Sequence, residues 1–180
     1  MASALETISG QAYGAQQYRK LGTQTYTAIF SLILVCIPIS ILWTYIEKIL
    51  ILIGQDPTIS HEAGKFSTYL LPALFAYAVL QPLVRFFQSQ SLVMPMVISS
   101  CATLCLHIPL CWALVFNSGL QNLGGAVAMG LSMWLNVAFL ALYMKFSPSC
   151  ALTRSPLSME IFYGIGEFFG FAVPSAFMIW

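Results

Sequence analysis

Charged residues are scarce in this chain. Only 7% of its 180 residues are Asp, Glu, Lys or Arg, whereas an ordinary soluble domain carries about 25%. The formal net charge of +1 gives no surplus of basic residues that would favour a nucleic-acid partner. Hydrophobic residues make up 59% of the sequence, and the mean hydropathy is +0.83. These values exclude a soluble globular domain and predict an all-α, polytopic integral membrane protein.

Other signals are also missing. The chain does not open with a basic segment followed by an apolar one, so no secretory signal is predicted. Its 5 cysteines are an odd number, which argues against a disulfide framework. His107 lies on a different side of its helix from Cys101 and Cys105, so we predict no metal site. Because no nucleophile and base cluster in the sequence, we predict that the chain is not an enzyme and needs no cofactor.

Apolar runs of the length that spans a bilayer, about 20 residues, follow a shorter opening helix. They lie near Tyr26–Ile46, Phe66–Phe87, Leu92–Phe116, Leu123–Met144 and Ile161–Trp180. We expect the first run to continue toward Ile53, and Ser60–Glu62 to begin a short surface helix. Both chain ends fall inside predicted helices, so we expect a piece of a larger membrane protein.

Basic residues indicate the orientation. Alternate connectors of the predicted path define two sides. One side carries Arg19, Lys20, Arg85, Lys145 and Arg154, and the other carries only Lys48 and Lys65. Because cytoplasmic loops are enriched in Lys and Arg, we predict that the first side is cytoplasmic.

Polar side chains inside apolar spans are costly in a bilayer, so they mark candidate functional positions. Glu6 has two interpretations: a protonatable acid near a transport path, or a structural acid that pairs near the cytoplasmic end. Glu167 lies between two glycines that allow close helix contact. It is predicted either to pair or relay a proton, or to reach toward the interface. Asn136 and Gln81 are expected to bond between helices. Arg85 is expected either to reach toward the interface or to anchor its loop.

Several blocks, in order along the chain, resemble one known family, the multidrug and toxic compound extrusion (MATE) transporters. The plant DETOXIFICATION branch is the closer likeness. The opening block, Ser3-Ala-Leu-Glu-Thr7 with Gly10-Gln-Ala-Tyr-Gly-Ala15, resembles the helix-2 signature of that family. The other blocks are Gly54–Pro57, Leu70–Pro72, Gln81–Leu83, Arg85–Gln90, Trp134–Asn136, Lys145–Cys150 and Pro174–Ala176.

The resemblance implies a twelve-helix, two-lobe antiporter that exports small organic compounds or xenobiotics in exchange for protons by alternating access. Residues 1–146 would form N-terminal-lobe helices, from the second half of helix 2 through helix 6. Residues 147–159 would be a cytoplasmic inter-lobe linker, and 160–180 would be most of helix 7, the start of the C-terminal lobe. A proton gradient would drive export across the vacuolar or plasma membrane.

The candidate transport-path or proton-linked residues are therefore Glu6, Gln81, Asn136 and Glu167. The alternative hypothesis is a truncated, non-transporting membrane protein that associates with full-length relatives.

Overall fold

A computed structural model describes residues 2–153, 164–166, 168–170 and 172–174. The secondary structure of this part of the chain is helical throughout. Its α-helices are Ala2–Gly14 (α1), Tyr18–Thr44 (α2), Ile46–Leu52 (α3), Pro57–Ser89 (α4), Val93–Trp112 (α5) and Asn122–Phe146 (α6). A π-helical turn, Ala113–Asn117, extends α5, and a 3-10 turn, Pro148–Cys150, follows α6.

The four described helices that are long and apolar enough to cross a membrane are α2, α4, α6, and α5 with its π-helical turn. They confirm the first four predicted spans. The fifth predicted span, Ile161–Trp180, lies largely outside the described residues, and those of its residues that are described are helical. The protein is thus an integral, multi-pass membrane protein.

The α2 helix begins at Tyr18, about two turns before the predicted start near Tyr26. The added turns carry Arg19, Lys20 and Gln24, polar residues that hydropathy does not assign to a span. Thr25 donates to the Leu21 carbonyl (2.9 Å), and Thr27 donates to the Thr23 carbonyl (3.1 Å), so their hydroxyl groups are satisfied within the helix. The predicted start was therefore too late.

The α4 helix begins at Pro57, so the predicted short surface helix at Ser60–Glu62 was wrong. Asp56 caps α4, and its Oδ1 accepts from the backbone N–H groups of Thr58 (2.8 Å) and Ile59 (3.3 Å). These donors hold the pKa of the Asp56 carboxyl below its ordinary value. Proline at the first helical position adds to this start signal.

The expected continuation of the first span toward Ile53 was also wrong. The helix breaks at Tyr45, and α3 then packs against the beginning of α4. Close approach is possible because Gly64 has no side chain: a Cβ there would lie 2.8 Å from Glu47 Cβ. The imidazole Nδ1 of His61 lies 3.1 Å from Glu47 Oε1 and adds a polar contact between the two helices.

The α4 helix is the hub of the bundle, since α1, α2, α3, α5 and α6 all contact it. The C-terminal ends of α1, α4 and α6 meet the N-terminal end of α2 in one buried cluster. Its members are Ala12, Leu21, Leu83, Phe86, Phe87, Val137, Leu140 and Cys150. We call this the basic end and the other the opposite end. Arg19, Lys20, Arg85 and Lys145 all lie near it on these helices, whereas Arg154 lies outside the described residues. That this end is cytoplasmic stays a prediction.

The connector after α6 folds back onto the basic end. Cys150 is fully buried there. Thr153, 2% exposed, donates its hydroxyl to Gln90 Oε1 (3.0 Å), and Gln90 Nε2 donates to the Phe86 carbonyl (3.1 Å). The described beginning of the predicted inter-lobe linker is therefore packed on the preceding helices. The lobe boundaries themselves stay a prediction.

We expect Gly124→Ala to destabilise the bundle by about 1–3 kcal/mol. The reason is that a Cβ at Gly124 collides with the backbone carbonyl oxygen of Leu114. Gly125→Ala is the matched control, because a Cβ there meets nothing within 4 Å and Gly→Ala inside a helix stabilises by about 0.5–1 kcal/mol. Thermal unfolding in detergent measures both. Equal Tm values would contradict the close approach of α6 to the π-helical turn.

We expect Thr153→Val to raise the labelling rate of Cys150 by a water-soluble maleimide about tenfold, because a buried hydrogen bond worth about 1 kcal/mol or more is lost. Ser149→Ala, an exposed neighbour in the same connector, should leave that rate unchanged. Peptide mass spectrometry separates Cys150 from the other cysteines. An unaltered rate in Thr153→Val would show that the hydroxyl does not hold the connector down.

Candidate functional site

Glu6 pairs with a residue of the central helix. The buried face of α1 carries Leu5 and Ser9, whereas Glu6 lies on the exposed face. Arg85 Nη1 donates to Glu6 Oε2 at 2.7 Å, a charge-assisted bond between α1 and α4. Glu6 lies about 12 Å from the end of α1 at Gly14. Of its two predicted interpretations, the structure shows the pairing; a role in proton exchange stays a prediction.

Arg85 makes more than one contact. Its Nη1 also donates to Gln88 Oε1 (2.8 Å), one turn further along α4. Its Nε is buried and has no partner among the described residues. The Arg85 side chain is 26% exposed and that of Glu6 is 56% exposed. The pair thus lies at the edge of the bundle, where one face of the carboxylate is accessible.

Gln81 precedes Arg85 by one turn on α4 and is half-buried. The two side chains share a helix face because residues i and i+4 do. The expected bond of Gln81 to another helix is not made to any residue that the structure describes. The structure therefore places Gln81 beside the Glu6–Arg85 pair without linking it to that pair.

Asn136 lies on α6, which packs against both α4 and α5. Its Oδ1 is buried and accepts no hydrogen bond from the described residues, so the expected interhelical bond is absent from this part of the chain. One turn earlier, Ser132 Oγ lies 2.7 Å from His107 Nδ1 and joins α6 to α5. The polar contact between α5 and α6 is therefore made by Ser132, one turn from Asn136.

The α5 and α6 helices run antiparallel, so moving one turn back on α5 matches moving one turn forward on α6. This register sets Thr103 at the level of Asn136, as His107 is at the level of Ser132. Thr103 Oγ1 is also buried without a partner among the described residues. We call Thr103, His107, Ser132 and Asn136 the polar strip. Sequence reasoning missed Thr103 and Ser132 and considered His107 only as a metal ligand, although Thr103/His107 and Ser132/Asn136 both have the i, i+4 spacing.

Glu167 lies outside the described residues. Next to it, Phe168 and Ala172 form a buried cluster with Leu5 of α1 and Ala28 of α2. Among the described residues, no three His, Cys, Asp or Glu side chains come together to hold a metal ion.

A groove runs between α4 and α6 from the opposite end toward the middle of the bundle. Its outer part is a cavity of about 700 Å³ lined by Glu62 and Phe66 of α4 and by the beginning of α6. Its inner part, about 350 Å³, is lined by Tyr69, Pro72 and Trp134 among others. Trp134 Nε1 donates to the Pro72 carbonyl (3.1 Å). The groove is mostly apolar and aromatic, with a carboxylate near its mouth.

Comparison with known proteins decides the family. A family model described as MatE matches residues 1–113, which is more than half of the chain. This chain belongs to the MATE family. The resemblance seen in its sequence blocks is thereby confirmed.

Several relatives of this MATE chain are plant proteins. Protein DETOXIFICATION 12 of Arabidopsis thaliana is 62% identical over 179 residues, which cover 99% of this chain and 37% of that protein. Protein DETOXIFICATION 14 of the same plant is 64% identical with the same coverage. The chain thus spans less than two fifths of the length of these relatives.

A solved structure matches the fold. The structure entitled "Crystal structure of eukaryotic MATE transporter AtDTX14" superposes with a TM-score of 0.95 and 64% identity, over 97% of this chain and 39% of that one. The all-α arrangement described above is therefore part of a MATE fold. Its relatives are transporters and not enzymes.

We expect the Glu6–Arg85 pair to contribute a coupling free energy of about 0.5–1 kcal/mol, a modest value because Glu6 is more than half exposed. A double-mutant cycle with Glu6→Gln and Arg85→Met, read from the free energy of unfolding in mixed detergent, measures it. The control cycle uses Glu62 and Lys65, an exposed i, i+3 pair at 3.0 Å, for which about 0.3 kcal/mol is expected. Zero coupling for Glu6 and Arg85 would contradict a pair that joins α1 to α4.

Proposed function

We propose that this MATE chain supplies part of an antiporter that exports small organic compounds or xenobiotics in exchange for protons by alternating access. The observation that carries the proposal is the match to a MATE transporter structure at a TM-score of 0.95 and 64% identity. A match this close favours a common mechanism as well as a common fold.

The groove between α4 and α6 supports an organic solute. Small-molecule sites are mostly apolar, with a few polar groups that orient the ligand. Phe66, Tyr69 and Trp134 supply aromatic faces along the groove, and the Glu62 carboxylate lies near its mouth. Aromatic faces suit an organic cation, because the ring quadrupole attracts positive charge. The Glu62 carboxylate is paired with Lys65 Nζ at 3.0 Å.

Acidic and polar residues on the membrane helices support coupling to protons. Intramembrane ionisable residues commonly mark ion pathways. We propose Glu6, Gln81, Asn136 and Glu167 as the transport-path or proton-linked positions. With the basic end in the cytoplasm, the mouth of the groove would open on the lumen of the vacuole or outside the plasma membrane.

A chimera tests the proposal. This chain replaces its matching segment of DETOXIFICATION 14 from Arabidopsis, and the chimera is produced in bacteria that lack their main efflux pumps. We expect these cells to accumulate severalfold less ethidium, a fluorescent organic cation, than cells with an empty vector. The difference should vanish when a protonophore collapses the proton gradient.

The isolated chain is the matched control. Alternating access requires two lobes that move against each other, so the chain alone should export no ethidium. A chimera that reaches the membrane but exports nothing, or one whose export survives the protonophore, would contradict proton-coupled export.

One observation favours the alternative of a non-transporting partner. The span formed by α5 and its π-helical turn has only 11% of its most apolar window buried, which leaves apolar surface for another helix. Co-purification of the isolated chain with full-length DETOXIFICATION 14, combined with an inactive chimera, would support that alternative.

A further inference from the structure

His107 is an ionisable group in the middle of the bundle that the proposed transport path does not use. It lies about 15 Å from the end of its span at Asn117, and its partner Ser132 lies about 15 Å from the start of α6. The α5 helix and its π-helical turn contain no Asp, Glu, Lys or Arg. An ionisable side chain at this depth is by default a candidate for function.

The hydrogen bonds around Ser132 assign the tautomer of His107. Ser132 Oγ donates to the Ala128 carbonyl (2.8 Å), the back-bond to the preceding turn. A hydroxyl has only one hydrogen, so in the 2.7 Å contact with His107 the serine oxygen accepts. Nδ1 of His107 therefore carries the hydrogen, and Nε2 of the neutral ring keeps its lone pair. This assignment follows from the hydrogen-bond network.

The charges that face His107 are few. Cys111, one turn further on the same face of α5, is titratable. The α6 stripe opposite His107 carries Ser132 and Asn136 and nothing that titrates; the charged residue of α6 is Lys145, in its last turn. The charged residues of α4 lie toward its ends, with Arg85 occupied by Glu6 at the basic end. No described carboxylate therefore competes with water as the source of a proton.

Further buried polar atoms lie about one turn from the His107–Ser132 contact on both helices. Thr103 Oγ1 and Asn136 Oδ1 are each buried without a partner among the described residues, one turn from His107 and from Ser132 respectively. Buried polar groups of this kind are commonly satisfied by ordered water. The polar strip therefore differs from the apolar surface around it and suits a group that exchanges a proton with water.

We propose that His107 is a reversible proton-binding site whose accepting atom, Nε2, is set by Ser132. Nε2 takes a proton from hydronium and releases one water molecule, the ring becomes imidazolium, and the Nδ1–H bond to Ser132 stays in place. The proposal adds His107 to the residues proposed for proton exchange, and in that respect it rests on the proposed function. Proton binding itself requires no transport.

Ring-nitrogen NMR of the full chain in lipid nanodiscs tests the proposal. The chain has 2 histidines, so His61→Asn leaves His107 as the single isotope-labelled ring. We expect the Nδ1–H tautomer for the neutral ring, and its conversion to imidazolium with Nδ1–H retained when the sample is acidified. An Nε2–H tautomer of the neutral ring, or a ring that stays neutral on acidification, would overturn the proposal.

Two variants of Ser132 test how the tautomer is set. Ser132→Ala removes the acceptor, so the ring should shift to the Nε2–H tautomer that prevails for free histidine. Ser132→Thr keeps the hydroxyl and should keep Nδ1–H. A ring that stays Nδ1–H in Ser132→Ala would overturn the role of Ser132, and Ser132→Thr controls for repacking of α5 on α6.

The chimera separates this proposal from the proposed function. His107→Asn keeps an N–H donor near the Nδ1 position but cannot take up a proton, so the pH dependence of ethidium efflux should be flatter than in the parent chimera. An unchanged pH profile would overturn the link between His107 and exchange. An inactive parent chimera would count against the proposed function alone, because the NMR titration decides proton binding independently.

Discussion

The need to satisfy hydrogen-bonding groups inside a membrane, where water is absent, governs the structure of this bundle. Hydrocarbon offers no donors or acceptors, so every backbone group must be paired within its own helix, and the described chain is helical for that reason. The same constraint acts on side chains. Thr25 and Thr27 bond back to their own helix, and Ser132 does so while it also contacts the His107 imidazole. Other polar residues connect different helices, as Arg85 does when it donates to Glu6 of α1 as well as to Gln88 of its own helix.

The central position of α4 depends on close packing with its neighbours. Small residues let neighbouring helices approach it: Gly64 faces α3, and Ala73 faces Gly130 of α6. Close backbone approach gains van der Waals contact where the hydrophobic effect offers little, as in lipid. Because α4 touches every other described helix, it joins the Arg85 contacts at the basic end to the groove at the opposite end. A movement of α4 would therefore displace both the Arg85 contacts and the wall of the groove.

Hydropathy predicted the existence of the spans well, since each needs a long apolar run and little else. It predicted their ends poorly where local chemistry decides. Hydropathy does not register the polar first turns of α2 from Tyr18, and α4 starts at Pro57 because Asp56 caps it. For the candidate site, the Glu6 pair was among the predicted alternatives. The bonds expected for Gln81 and Asn136 do not form among the described residues, because a partner depends on helix register and rotation.

The sequence by itself determined that the chain is helical, crosses the membrane several times and resembles MATE transporters, because composition and ordered motifs are properties of the chain alone. Only the tertiary structure decided that Arg85 is the partner of Glu6, that the connector after α6 packs back through Cys150 and Thr153, and that His107 meets Ser132. Each of these contacts joins residues far apart in the chain. Their meeting depends on how the packed helices and the connector align, and no spacing along the sequence records that alignment.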